Sequence, residues 1–345
     1  MLIMKNYTTL GLILSFMLFL NACKKETSDI SSNPTTTGDG GPVTGRIDPP
    51  PGGGICLGEL TNYLFVFTDA GYDANWQGAT KGFYGNAAVN GITASERTSG
   101  GVPYAGTIFT NDNSQGAWQN IINQNVAQSF GSIGETALIN MLTTNLNNAF
   151  TNINSMTPTL GYESVSSTSL NGLNTQDGVS DIYVINITSG LQVSSKINIT
   201  GDPGDVFILR WDADGNPLNG YQGITKFQSG GAIVPNGGLI ATNFINVAGD
   251  ISSSGGGSNP AVPYPQGPRY NNGTGALITN GANWNGGGFF TGYWLTTGDP
   301  VTGKTHSLSN AIFVGGWYST TNQFSMTSGT SGVYIEPSPS INCRG

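Results

Sequence analysis

The chain has 345 residues, of which only 9% are charged and 37% hydrophobic, with 52 glycines and a formal net charge of −8. A charged fraction far below the roughly 25% of ordinary globular chains, with an acidic balance, excludes a basic nucleic-acid-binding surface. The apolar and aromatic content is too high for a disordered chain, and the glycine load suits a β protein with many tight turns.

Residues 1–22 read as an export signal. Lys5 precedes an apolar run from Tyr7 to Leu20 that is short for a membrane span. It closes on Leu20, Asn21, Ala22 and Cys23, which is similar to the bacterial lipoprotein box, where the Cys is lipidated and becomes the mature N-terminus. That similarity implies a chain anchored through Cys23 in the bacterial envelope, at the outer membrane and facing outward. Residues 23–54 are dominated by Ser, Thr, Gly and Pro with no apolar period, as in a flexible tether of about 30 Å. The folded region is expected over 55–345. In an oxidising compartment Cys56 and Cys343, near its two ends, are disulfide candidates, with two unpaired thiols as the alternative.

From Tyr63 onward short β-rich runs alternate with Gly, Asn and Asp: YLFVF at 63–67, GFYGNAAVNGI at 82–92, AGTIF at 105–109. A helical insertion is expected over about 116–155. In it Trp118, Ile121, Ile122 and Val126 share a face, and SIGE at 132–135 reads as a capping box. Behind that box Leu138, Met141, Leu142, Leu146, Ala149, Phe150 and Ile153 recur at helical spacing, ending before Thr157-Pro158. After Gly161 the pattern is β again, with INIT at 185–188 and 197–200, and VFIL, GGLIATNFINVAGDI and AIFVGGWYST further on. Such spacing fits a β-solenoid or a β-sandwich. A long helix able to run along a stack of coils favours the solenoid. The expected fold is therefore all-β, a right-handed β-solenoid with one long covering helix between early and late strands.

The order of NYLFVFTDAGYDANWQGATKGFYGNAAVNG at 62–91, the helix, YVINITSGLQVSSKINITGDPGDVFILRW at 183–211, GGLIATNFINVAGDI at 237–251, GGGFFTGYWL at 286–295 and SNAIFVGG at 309–316 resembles the choice-of-anchor A family of bacterial surface proteins. GDPGDVFIL with the helix before it is also similar to the ice-binding β-solenoid family. The first resemblance implies adhesion or surface display of an extracellular domain. The second implies binding to ice or another regular surface. Neither supplies catalytic residues.

Chemistry-bearing candidates are few. His306 is the only histidine, and no nucleophile elbow accompanies it. Asp212, Asp214 and Asn216 alternate as a calcium loop begins, but Pro217 stands where glycine belongs and Gly223 where the closing Glu belongs. Calcium is thus a weak candidate, and no other cofactor is expected. Arg210 and Lys226 near these acids suggest a polysaccharide lyase on a β-helix by fold analogy alone. GGGFFTGYWLTTG at 286–298 is aromatic on both sides of a strand. It is either a wall packed on both faces or a platform on which Tyr293 or Trp294 stacks on a sugar, completed by Trp284, Tyr264 and Tyr270. The main expectation is a non-enzymatic surface protein for adhesion or for binding a glycan, surface or protein ligand. The alternatives are ice binding through a flat solenoid face and a carbohydrate-active enzyme.

Overall fold

Runs such as Phe-Val-Phe at 65–67 and Val-Phe-Ile-Leu-Arg-Trp at 206–211 are too short and too β-branched or aromatic for helices, and glycine turns close them into strands. In the computed structural model these strands stack in parallel. The structure describes residue 55 and residues 57–69, 73–77, 82–91, 97–99, 102–127, 131–228, 230–254, 270–271, 276–277, 288–298, 306–320, 323–327 and 330–333. Residues 1–54, and with them the expected signal and tether, lie outside that set, as do Cys23, Cys56 and Cys343.

The first block contains β1 (Phe65–Phe67), β2 (Asp73–Gln77), β3 (Gly82–Tyr84), β4 (Ala87–Val89), β5 (Arg97–Ser99), β6 (Val102–Ala105), β7 (Thr107–Thr110), α1 (Gln115–Asn125), β8 (Val126–Ala127) and β9 (Gly131–Gly134). The helix α2 (Thr136–Ser155) follows. The second block opens with β10 (Val165–Ser166), β11 (Leu173–Asn174), β12 (Ile182–Ser189), β13 (Gln192–Val193), β14 (Lys196–Gly201), β15 (Val206–Trp211), β16 (Ile224–Gln228), β17 (Ala232–Gly237), β18 (Phe244–Ala248) and β19 (Asp250–Ser254). A small antiparallel pair, β20 (Tyr270–Asn271) and β21 (Ala276–Leu277), precedes β22 (Gly288–Thr296), β23 (His306–Ser309), β24 (Ala311–Ser319), β25 (Gln323–Thr327) and β26 (Ser331–Val333).

Apart from β20–β21, the described pairings are parallel, in a 17-stranded and a seven-stranded sheet. The larger sheet is two ladders. One runs β10-β12-β15-β18-β22-β24-β1-β4-β7-β9. The other runs β11-β14-β17-β22-β24-β26-β3-β6-β8. They share β22 and β24, which turn from one ladder to the other at Gly292 and Gly315. These two glycines are register partners with φ of 89° and 130°. A Cβ at Gly292 would meet the Phe244 carbonyl oxygen at 2.3 Å, so the corner admits no side chain. The first described strand lies in mid-stack, since β1 pairs with both β24 and β4.

The expectation of a mostly β architecture with parallel strands and few helices holds. Inside the stack, residues from all three ladders meet in one core: Phe65, Trp317, Trp294, Trp211, Phe207, Ile197, Phe227 and Leu308 among others. Aromatic rings pile up along it, with Phe290–Phe313 at 4.7 Å and Phe207–Phe244 at 5.2 Å. Outside the first ladder, Val66, Ala88, Val184, Ile208, Tyr293, Leu295 and Tyr318 form a second core with Ile139, Leu142, Leu146, Ala149 and Ile153 of α2. The helical spacing in the sequence thus does mark a helix that covers a sheet, each buried aliphatic contributing about 1.5–3 kcal/mol.

Two local expectations fail. Ser132 is not an N-cap: it sits in β9, its hydroxyl donating to the Gln115 carbonyl at 3.0 Å, and α2 starts after Glu135 with no side-chain cap. The two INIT segments are not equivalent positions on successive coils. The first lies in β12 and the second in β14, on different ladders of one coil.

Candidate functional site

Three ladders give the stack three outer surfaces. The first is covered by α2. On the second, Ala232, Val234, Phe289, Ile312 and Val314 are all buried in a third apolar cluster. The third is the seven-stranded sheet β13-β16-β19-β23-β25-β2-β5, and its pattern differs.

Along that sheet one register row is Val193, Phe227, Ser253, Leu308, Met326, Trp76 and Thr98. Val193, Phe227, Ser253, Leu308 and Met326 of this row are buried. The neighbouring row, one residue off and so on the opposite side of the pleat, is Gln192, Lys226, Ser252, Ser307, Ser325, Asn75 and Arg97. Gln192 and Ser307 are exposed, and Lys226 and Ser252 half-buried. Two residues further on, Gln228 stands beside Ser254 and Ser309 beside Thr327. Ser254 Oγ donates to Gln228 Oε1 at 3.3 Å. Gln192, Lys226, Ser252 and Ser307 thus form an outward row of amide, ammonium and hydroxyl groups, in register for about 14 Å at the usual strand spacing, and the main chain of Ser325, Asn75 and Arg97 continues the same register. No sequence motif flags it. The only signal is alternation of Ser with core residues in segments such as HSLS at 306–309.

The loop after β15 holds the acidic candidates. Asp212 is 2% exposed; its Oδ1 accepts the Gln222 N–H at 2.8 Å, and its Oδ2 is buried with no donor. Burial pushes its carboxyl up to about 6. Asp214 is exposed and is held below its ordinary value chiefly by the Asn216 N–H, 2.7 Å from its Oδ1. Its Oδ2 accepts from Gln222 Nε2 and Asn219 Nδ2 at 3.0 and 3.3 Å. Asn216 Oδ1 accepts the Leu218 N–H at 3.2 Å. Among the described residues no three His, Cys, Asp or Glu side chains converge as metal ligands.

Arg210 is enclosed. It is 2% exposed beneath α2, and its Nη1 and Nη2 donate to the Ile153 and Met156 carbonyls at 3.3 and 2.9 Å. It supplies the cation that α2 lacks in its own last turn. Lys226 stands on a different sheet, so the pair expected of a lyase is not assembled.

The aromatic platform is also corrected. Tyr293 and Trp294 are 0% exposed, Tyr293 in the core under α2 and Trp294 inside the stack. Within GGGFFTGYWLTTG, Gly288–Thr296, the strand β22, is a wall, because it is covered on both sides. Trp284 and Tyr264 lie outside the described residues, and of Tyr270 only the main chain is described, in β20.

Neither a protein-family model nor a curated protein sequence matches the chain. Solved structures do. An ice-binding protein domain of Shewanella frigidimarina matches at 15% identity over 81% of this chain and 96% of that one, with a TM-score of 0.42. An ice-binding protein from an Antarctic biological consortium matches at 14% over 88% and 96%, TM-score 0.45. An ice-binding protein from an Arctic yeast matches at 12% over 81% and 94%, TM-score 0.33. The similarity to ice-binding β-solenoids expected from the sequence is therefore met among solved structures, while nothing found ties the chain to the choice-of-anchor A family. The likeness is one of fold, and none of these three proteins is described as an enzyme. The main functional expectation is corrected by the structure itself: the aromatic side chains offered for a glycan at Tyr293 and Trp294 are closed off.

Proposed function

We propose that this chain binds ice through the outward side of the seven-stranded sheet. The observation that carries the reading is the in-register row Gln192, Lys226, Ser252 and Ser307, exposed or half-buried, on a sheet whose other side packs into the core and whose central strands have no described helix over them. Strands about 4.8 Å apart, with outward residues about 6.8 Å apart along each, set polar groups on a fixed two-dimensional repeat. A repeating grid of weakly hydrated hydroxyls and amides can hold surface water in lattice-like order, which a dense charge array would disrupt. The chain then acts by adsorption and catalyses no reaction. We infer further that the coils wind right-handed, the hand that parallel crossovers take, and that a lipid on Cys23 keeps the domain at the cell envelope. Ice is also the ligand named in the titles of the similar structures, but the reading rests on this sheet.

The test is ice recrystallisation inhibition, thermal hysteresis and partition into a growing ice front, using the mature chain. Ser252→Tyr and Ser307→Tyr each raise a bulky ring mid-sheet and are expected to abolish all three. Asn147→Tyr, on the exposed side of α2, is expected to change none. A wild-type chain that leaves ice growth untouched, or Tyr variants as active as wild type, would sink the proposal.

A further inference from the structure

The loop after β15 leaves a buried carboxylate oxygen unanswered. Asp212 is 2% exposed, yet its Oδ2 meets neither water nor a donor. An ionised oxygen in that position is costly unless a charge answers it. Arg210, two residues earlier, answers it only through the field: its Nη1 and Nη2 give their N–H groups to the carbonyls of Ile153 and Met156, and no hydrogen bond reaches Asp212 Oδ2. The next charged side chain in the sequence is a second carboxylate, Asp214. Its oxygens are oriented by the Asn216 N–H and by the amides of Asn219 and Gln222.

We propose that the 212–222 loop is a divalent-cation site that takes calcium, with the Asp212 and Asp214 carboxylates as anionic ligands and the Asn216 amide oxygen as a neutral one. Two observations carry it independently. One is the buried Asp212 oxygen without a donor. The other is the alternation of oxygen-bearing residues at 212, 214 and 216, with Gly215 at φ 69° letting the chain turn tightly between them. All three ligands are hard oxygens, which select calcium over zinc or copper. Three ligands do not fill a calcium shell, so main-chain oxygens and water complete it. With Gly223 where a bidentate Glu would close such a loop, the affinity belongs to the weak class of extracellular modules, about 10⁻⁴–10⁻³ M. The site lies beside the end of α2, where Tyr221 Oη donates to Asn154 Oδ1 at 2.6 Å. It owes nothing to the ice-binding reading.

Trp211 immediately precedes Asp212 and makes the site optically addressable. The mature chain, freed of metal with a chelator, is titrated with terbium while tryptophan is excited. The expected result is saturable terbium emission that calcium displaces and that falls about tenfold or more in Asp214→Asn. Asp214 is exposed, so this variant keeps the fold. The same calcium addition is expected to raise the thermal midpoint of wild type by about 2–4 °C. Absence of emission, emission that calcium does not displace, or emission indifferent to Asp214→Asn would each overturn the site. A proton shared between the two carboxyls would then be what answers the buried oxygen.

Discussion

Replacing Trp294 with Phe is expected to cost much less stability than the same replacement at Trp211 or Trp317. All three indoles are fully buried inside the stack. Trp211 Nε1 donates to Asn246 Oδ1 at 3.0 Å and Trp317 Nε1 to Thr296 Oγ1 at 3.0 Å, whereas Trp294 Nε1 is buried with no acceptor. The shrinkage from indole to phenyl costs about 1–3 kcal/mol at any of the three sites. At Trp211 and Trp317 it also strands an acceptor, adding about 1–3 kcal/mol; at Trp294 it removes a stranded donor and returns about the same amount. Trp294→Phe should therefore fall near zero, and the other two near 2–5 kcal/mol. Equilibrium unfolding in guanidinium, followed by near-ultraviolet dichroism, gives the midpoints. They are comparable if the slope is unchanged and a second probe coincides. Equal losses at all three positions would refute the reasoning and place a water molecule on Trp294 Nε1.

Gly292→Ala should destabilise by about 3 kcal/mol or more, because a left-handed residue is strained and its Cβ would strike the Phe244 carbonyl oxygen; thermal unfolding checks it. Arg210→Met should cost about 2–3 kcal/mol and loosen the end of α2, since the Met156 carbonyl loses its side-chain donor and the Ile153 carbonyl keeps only the Met156 N–H. Hydrogen exchange should quicken at 150–156 and stay slow in β22, and uniform quickening would contradict the assignment. Burial, with nearby carboxylates adding to it, pushes the Tyr63 and Tyr183 phenols up to about 12. Raised values mean that the folded state keeps protons the unfolded state has lost. Their contribution is thus intact below pH 10 and lost as pH climbs to about 12. An ultraviolet phenolate titration showing every tyrosine ionising near 10 would contradict this.

What was legible in the sequence was local. Spacing alone placed α2, because Leu142, Leu146, Ala149 and Ile153 repeat at the helical period whatever they pack against. Strand runs such as 206–211 announced themselves by composition. The coil repeat did not, because its length varies: Ile182 pairs with Val206, but Phe207 pairs with Phe244. That irregularity made the two INIT segments look like a repeat when they lie on two different ladders, with β13 of the third between them. The aromatic wall was ambiguous because Trp294 faces one core and Tyr293 another, a distinction set by α2 from far away in the chain. The polar grid was invisible for a related reason. Ser252, Ser307 and Asn75 are unremarkable residues that only register brings into line.

The mid-stack start of β1 has a further consequence for how the chain could be rewired. If the ends of the described fold were joined and the chain opened after α2, its strands would be met in the order β10, β12, β15, β18, β22, β24, β1, β4, β7, β9, which is the order of the first ladder. The native molecule is thus a circular permutant of a plain spring. Its helix α2 serves as the return cable from β9 to β10, which lets the first and last described strands, β1 and β26, both pair with β24 in mid-stack. Deleting β1 or β26 would cut the middle of the stack and leave β9 and β10 at its two ends untouched, so the described fold cannot be shortened one coil at a time from its first or last strand.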